Sequence, residues 1–470
     1  IAKLAGNKTK RVNLQGKTVV PGFNDAHDHL GFFAPVSKFF TAGFSVQGPG
    51  KQAVLDSVKL LAHSAAPGQW IVGLVGLTAL QDTGMRDALD SISPNRPVCL
   101  QVMWGHGIVL NTKALRMVGI ADDEPDPLGG WYARKAGSRL ITGALYEYAQ
   151  WPVWYKVWIS EPQHLVEGLR AYAREQVQHG ITTEQDMSCI IEPSALNHIF
   201  RTAKLPQRIR IVPMPGTLYG VRNIAEWKRV DPYPAPLAYV SGIKYLVDGT
   251  PWEGAALLKQ PYAGKPAWYG RTDMPLDTIK QILKEAYTGN TQLMMHIVGD
   301  SAMSIILSLM KQTGNDMVWR SKRVRFEHNQ NAGCTGKEVQ MIKEMGIVMA
   351  HTPKYGHHQR IKSLLDKGII VSVSPDMTTN PFEDIMIVTS QQADPTENIS
   401  IEQAVIAYTK TNAYAEYKEK EKGMLVKGML ADLTVLSQDI FTIPKEKLPA
   451  TRSLLTMIDG KIIYRSKDME

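Results

Sequence analysis

Eight short apolar segments, most of them separated by amphipathic helical stretches, constrain this chain more than any other feature. The first leads through Val19-Val20-Pro21-Gly22-Phe23-Asn24-Asp25-Ala26 to His27. The others lie at 181–186, 208–213, 241–248, 292–296, 323–328, 346–351 and 368–376. A helical stretch at 165–179 ends at Gly180, and further ones at 276–287, 301–311 and 336–345 separate later strands. Parallel strands need crossover connections, which helices supply. The pattern predicts an α/β fold, a (β/α)8 TIM barrel.

Three pieces fall outside the eight units. Residues 1–17, with Arg11-Val12-Asn13-Leu14 and a Gly16 turn, read as the N-terminal part of a small β domain. Residues 423–470 read as its C-terminal part, with strands at 431–436 and 454–464 and a hairpin signal at Asp459-Gly460. The two ends together predict a small β-sandwich-like domain. Residues 18–50 hold the first barrel strand and its loop, and 150–422 the remainder of the barrel. Between them, 51–149 is too long for a simple loop and reads as an inserted subdomain, a lid or pocket wall.

Chemistry concentrates where the strands end. His27 and His29 are spaced by two, so an extended strand aims both imidazoles at one face. Lys244, His296, His328 and Asp376 stand at the ends of later strands. In a barrel those ends share one rim. Four imidazoles and a carboxylate there suit one or two divalent ions of the zinc class. His63, His164, His179 and His198 lie on helical stretches and read as ordinary helix residues. Lys244 is different, because an ammonium has no lone pair to give a cation. A lysine carbamylated by CO2 has two anionic oxygens. On the residues alone, a lysine paired with Asp248 or Glu253 is the plainer reading.

These motifs resemble the amidohydrolase superfamily, and within it the branch that contains N-substituted formamide deformylase and related uncharacterised metal-dependent hydrolases. The likeness rests on Pro21-Gly22-Phe23-Asn24-Asp25-Ala26-His27-Asp28-His29, on Gly242-Ile243-Lys244-Tyr245-Leu246-Val247-Asp248, and on His296-Ile297-Val298-Gly299-Asp300. It extends to Arg325-Phe326-Glu327-His328 and Ser374-Pro375-Asp376, the latter in place of a more usual Gly-Ser-Asp. It covers nearly the whole chain, including Trp104-Gly105-His106-Gly107 in the insert. The resemblance implies hydrolysis of a C–N bond (amide, N-acyl or formamide-like) by metal-activated water. It implies His27, His29, Lys244, His296, His328 and Asp376 as ligands, a carbamylated Lys244 bridging two ions, and Asp376 as the catalytic proton shuttle. One departure is His351-Thr352-Pro353-Lys354, where the branch often has Gln-Pro; His357-His358 follow.

Trp104, His106, Glu147 and His351 are the candidate substrate contacts. For His351 a place in a surface loop is an equal reading. Trp151, Trp154, Tyr155 and Trp158 form one helical stripe, read first as a core face and second as a pocket wall.

Composition excludes several classes. The net charge of +8 over 470 residues is modest, and its basic residues are interleaved with acidic ones, so no nucleic-acid stripe is present. Cys99, Cys189 and Cys334 are scattered, which predicts free thiols without a disulfide framework. The longest apolar run, 70–80, is too short and Gly-broken to span a bilayer. A small molecule is the expected partner, with a homodimer left open. A cytoplasmic location is expected, and export stays open because the chain starts at Ile1 without Met. Two rival functions are a deaminase of a cyclic amidine or heterocycle on the same site, and a non-catalytic metal-binding regulator.

Overall fold

Gly22 separates two strands that the sequence presents as one. Before it, β1 (Val19–Pro21) pairs antiparallel with β16 (Leu433–Leu436) from the other end of the chain. After it, β2 (Phe23–Asp28) pairs parallel with β8 (Ile181–Ser188). A Cβ on Gly22 would lie 2.2 Å from Thr182 Oγ1, so the crossing of the two sheets needs glycine. The first strand of the parallel set therefore begins at Phe23, later than expected, and Val19 and Val20 belong to the terminal sheet. The computed structural model describes residues 5–30, 45–66, 68–160, 162–188, 193–214, 231–331, 335–356 and 360–469.

The terminal sheet runs β1, β16, β17 (Ser453–Ile458), β18 (Lys461–Arg465). Asp459 and Gly460 both have positive φ, 51° and 73°, which suits a two-residue hairpin turn. Residues 11–14, expected as a strand, are not one. The expected sandwich is, among the described residues, one four-stranded sheet laid on a helix. Thr456 Oγ1 donates to the Val177 carbonyl at 2.6 Å, tying the sheet to helix Pro162–Gln178.

All eight expected strands occur. After β2 and β8 come β9 (Arg208–Pro213), β11 (Ile243–Leu246) and β12 (Leu293–Gly299). Then come β13 (Arg325–Asn331), β14 (Val348–His351) and β15 (Ile370–Val373). They form two parallel sheets, β2-β8-β9-β10 and β11-β12-β13-β14-β15, where β10 (Ala238–Val240) is an extra short edge strand. The sheets adjoin at both edges. Ser241 N donates to Ile211 O at 3.0 Å beside β9 and β11. At the other seam the buried Asn412 amide donates to Asn24 O at 2.6 Å and to Val373 O at 3.0 Å.

Alternation sorts the side chains. On β11 and β12, Tyr245, Met295 and Ile297 enter the apolar core under the helices. Lys244, Leu246, His296 and Val298 face the opposite way and line a cavity. The outer helices are signalled locally. Helix Gly336–Met345 opens with a Thr335–Glu338 capping box and closes on Gly346 at φ 61°.

The insert is a mixed sheet of β3 (Ile71–Val75), β4 (Val98–Val102), β5 (Gly107–Leu110), β6 (Gly130–Arg134) and β7 (Ile141–Glu147), ordered β3-β4-β5-β7-β6. It has its own core, where Val54, Val58, Leu89 and Leu100 are fully buried. Trp104 belongs to the same cluster as Trp252 and Tyr355, which follow β11 and β14. Trp154 of the aromatic stripe is fully buried in the core, whereas Trp151 also edges the cavity. The Trp158 side chain, His357, His358, Cys189 and Cys334 lie outside the described residues. Cys99 is buried. No helix among the described residues is long and apolar enough to cross a membrane.

Gly22→Ala is expected to destabilise the protein by about 1–3 kcal/mol, because backbone and Thr182 must both shift. Thr182→Gly in the same chain should recover part of the loss. Thermal unfolding measures both, and an unchanged midpoint in the single variant would contradict the crossing described here.

Candidate metal centre

Six side chains from five strand ends meet at one buried place. His27 Nε2 and His29 Nε2 lie 3.9 and 3.8 Å from Asp376 Oδ1. His328 Nδ1 lies 3.6 Å from Asp376 Oδ2. The His296 ring stands 4.3 Å from that of His328, centroid to centroid. Lys244 Nζ is 2.8 Å from His27 Nε2. His27, His29 and Asp376 offer ligand atoms within 4.8 Å of one another, a spacing that admits one cation among them.

The outer ring nitrogens are already committed. His27 Nδ1 donates to Glu327 Oε2 at 2.6 Å, and His29 Nδ1 donates to the Met187 carbonyl at 2.7 Å. Each bond holds its ring and leaves Nε2 with a lone pair toward the centre, the usual arrangement of a metal-binding histidine. Glu327 is held in turn by Arg325, at 2.7 and 3.0 Å. His296 Nε2 and Asp376 Oδ1 are buried and make no hydrogen bond. Orphaned buried polar atoms are rare in proteins, and these two fit a bound cation.

Electrostatics favours neutral imidazoles. Burial, then the Lys244 charge, holds His27 and His29 well below the ordinary histidine value. Burial, then neighbouring imidazoles, does the same to His296 and His328. Burial pushes Asp376 up to about 8, against the pull of Lys244. Neutral nitrogen is the ligating form, and a cation would favour the ionised carboxylate.

Backbone strain marks two of these positions. His328 has φ 75° and Asp376 φ 50°, conformations that non-glycine residues seldom adopt. On β13, alternation alone would turn His328 away from Glu327. The positive φ brings its ring to the centre, where Nδ1 also meets Thr352 Oγ1 at 3.0 Å.

The plainer partners of Lys244 are occupied elsewhere. Asp248 accepts from the backbone N–H groups of Leu257, Val298 and Gly299 at 2.8–2.9 Å. Glu253 accepts from Thr250 and from Trp104 Nε1. Of the candidate substrate contacts, Trp104 and His106 line the cavity, joined there by Trp252 and Tyr355. Glu147 does not line it and sits behind His106. His351 is buried at the end of β14, which corrects the surface-loop reading, and it too is absent from the lining. Sequence reasoning passed over Glu327 and Arg325 as site residues. Their spacing by two, which puts both on one face of a strand, was the available signal.

A family model described as the amidohydrolase family matches residues 10–464. The chain belongs to the amidohydrolase family. It is a hydrolase acting on carbon–nitrogen bonds. It is 25% identical over 501 residues to YtcJ of Bacillus subtilis (strain 168), named as an amidohydrolase, covering 98% of this chain and 92% of that one. It is 24% identical over 491 residues to the N-substituted formamide deformylase of Arthrobacter pascens, covering 96% and 89%. Among solved structures, an uncharacterized metal-dependent hydrolase from Pyrococcus furiosus superposes with a TM-score of 0.67 at 21% identity, covering 94% of this chain and 91% of that one.

Glu327→Gln should weaken metal binding about 10–100-fold, as loss of a partner behind a ligating histidine does elsewhere. Competition with a chromogenic chelator measures this. Wild-type affinity in the variant would remove Glu327 from the site.

Proposed function

We propose that this amidohydrolase is a metal-dependent enzyme that cleaves an amide, N-acyl or formamide-like C–N bond of a small molecule. The observation that carries the reading is the convergence of four neutral imidazoles, Lys244 and Asp376, with His296 Nε2 and Asp376 Oδ1 buried and unpartnered. The two adjoining parallel sheets are read as one (β/α)8 barrel, with the site at its C-terminal rim.

His27, His29, His296, His328 and Asp376 would hold one or two divalent ions, with zinc the ion suited to this nitrogen-rich set. Such an ion, when bound, acidifies water and polarises a carbonyl. Asp376 takes a proton from the attacking water and passes it to the leaving nitrogen. The insert, through Trp104 and His106, closes one side of the cavity and limits water. His351, opposite His328 in the strand register, lies outside the cavity lining.

Lys244, once carbamylated, would serve as a further anionic ligand to the ions. His27 Nε2 has one lone pair, which serves either the ammonium 2.8 Å away or a cation. Conversion of the amine to a carbamate removes that competition and the charge repulsion together.

A panel of small amides, formamides, lactams and heterocyclic amidines, offered to zinc-loaded protein, tests the reaction. Amine release from an amide is expected. Ammonia release from heterocycles alone would favour the deaminase, and no turnover at all the non-catalytic reading. On any substrate found, Asp376→Asn should lower kcat by about 10³-fold or more, since an amide cannot carry the proton. A variant near wild-type kcat would remove the shuttle.

Apo-protein reconstituted with zinc should gain activity as bicarbonate rises, and 13C-bicarbonate should give a carbamate carbon resonance. Lys244→Ala should lack both and bind less metal. Full activity without bicarbonate and without that resonance would demote Lys244.

A further inference from the structure

Glu147 ends β7 and is fully buried. Its two carboxylate oxygens lie 2.8 and 3.0 Å from His106 Nδ1. The His106 ring lines the cavity beside His296, with ring centroids 4.6 Å apart. With Nδ1 engaged, Nε2 is the remaining polar atom of the ring. It makes no hydrogen bond among the described residues. A donor or acceptor at a cavity wall, with its other nitrogen tied down, is arranged for a ligand.

Two features show how costly this placement is. Glu147 has φ 50° and ψ −131°, a conformation L-residues avoid. It also sits in a crowd of carboxyls. A Cβ on Gly249 would lie 2.2 Å from Glu147 Oε1 and 2.9 Å from Glu253 Oε1, so only glycine leaves room for both acids. Asp273, nearby and 1% exposed, faces the Glu147 carboxyl side chain to side chain. Burial, then Glu253, pushes the Glu147 carboxyl well above its usual range. An apolar residue would fill this position at lower cost if packing were its only duty. Strain and desolvation borne together at one residue, directly behind a cavity-lining imidazole, call for a role in the site.

We propose that Glu147 is a positioning residue that acts through His106. It locks the imidazole so that Nε2 meets the polar group of the substrate beside the scissile bond. A free ring would rotate and lose that freedom on binding; a held ring has lost it already. The proposal rests on the cavity being the C–N hydrolase site. It moves Glu147 from direct substrate contact to support of the residue that makes the contact.

A double-mutant cycle separates this from a packing role. On an amide that the wild type turns over, His106→Ala should lower kcat/KM about 10²-fold, as loss of an oriented hydrogen-bonding group does. Glu147→Ala should approach the same loss, and the double variant should fall no further. Glu147→Gln keeps an acceptor for Nδ1–H and should recover most of the activity. Bound metal, measured by elemental analysis, should be unchanged throughout. Losses that multiply in the double variant, or wild-type kcat/KM in Glu147→Ala, would overturn the proposal.

A readout without substrate runs beside it. The 15N resonances of His106, identified by their disappearance in His106→Gln, should shift at Nδ1 in Glu147→Ala and stay near wild type in Glu147→Gln. An unmoved Nδ1 in Glu147→Ala would overturn the positioning role. Failure of the wild type on every amide would retire the hydrolase reading alone, because the nitrogen resonances decide the dyad independently.

Discussion

A buried chain of charged and polar groups joins four strands of this protein. Arg325 on β13 donates to Glu327, to Gln185 Oε1 on β8 at 2.7 Å, and to Ala26 O on β2 at 2.7 Å. Glu327 holds His27, and His27 meets Lys244 on β11. Arg325, Glu327 and His27 are fully buried. A guanidinium without this carboxylate, or the carboxylate without the guanidinium, would be an uncompensated buried charge. The strands must therefore stand in register for the interior to be tolerable at all. That same register delivers the His27 ring, correctly oriented, to the centre. Folding and site geometry are set by one set of contacts.

The rim above this chain is where the backbone departs from regular structure. His328, Asp376 and Glu147 all have positive φ; Glu147 closes β7, Asp376 follows β15, and His328 breaks the alternation within β13. Regular strands send alternate side chains to opposite faces, so a group that must face inward out of turn needs a local break. The breaks cost stability, and the packed strands beneath them supply the rigidity that keeps them in place. The metal-ligand candidates His328 and Asp376 sit on the strained layer, and the regular strands beneath carry the packing.

The insert adds a second kind of constraint. Its sheet packs one face on a cluster built mostly of its own residues and the other on a cluster shared with the parallel strands, and Trp104 and His106 form part of the cavity wall. Trp104 is fastened by Glu253 at 3.0 Å and His106 by Glu147. Two acids, one from the insert and one from the loop after β11, thus fix the two insert side chains that face the metal-ligand candidates. The wall is rigid because its polar atoms are committed behind it.

The positions of the eight parallel strands were legible because short strand-like segments recur between helical periods, although β2, β8 and β13 carry more polar than apolar residues. That His27, His29, Lys244, His296, His328 and Asp376 come together was legible because parallel strands bring their ends to one side. Local chemistry also settled the Asp459-Gly460 hairpin and the helix beginning at Gly336. The division at Gly22 was not legible, since Val19, Val20 and Phe23 are equally apolar and only distant partners, Val435 and Thr434 for the first two and Ile181 for the third, separate them. Nor was the terminal domain's single layer, because one apolar face reads alike whether a sheet or a helix covers it. The inward turn of His328, the support of His27 by Glu327 and the seat of Glu147 behind His106 were decided by tertiary structure alone. Each depends on contacts between residues far apart in the chain, and no local propensity records those.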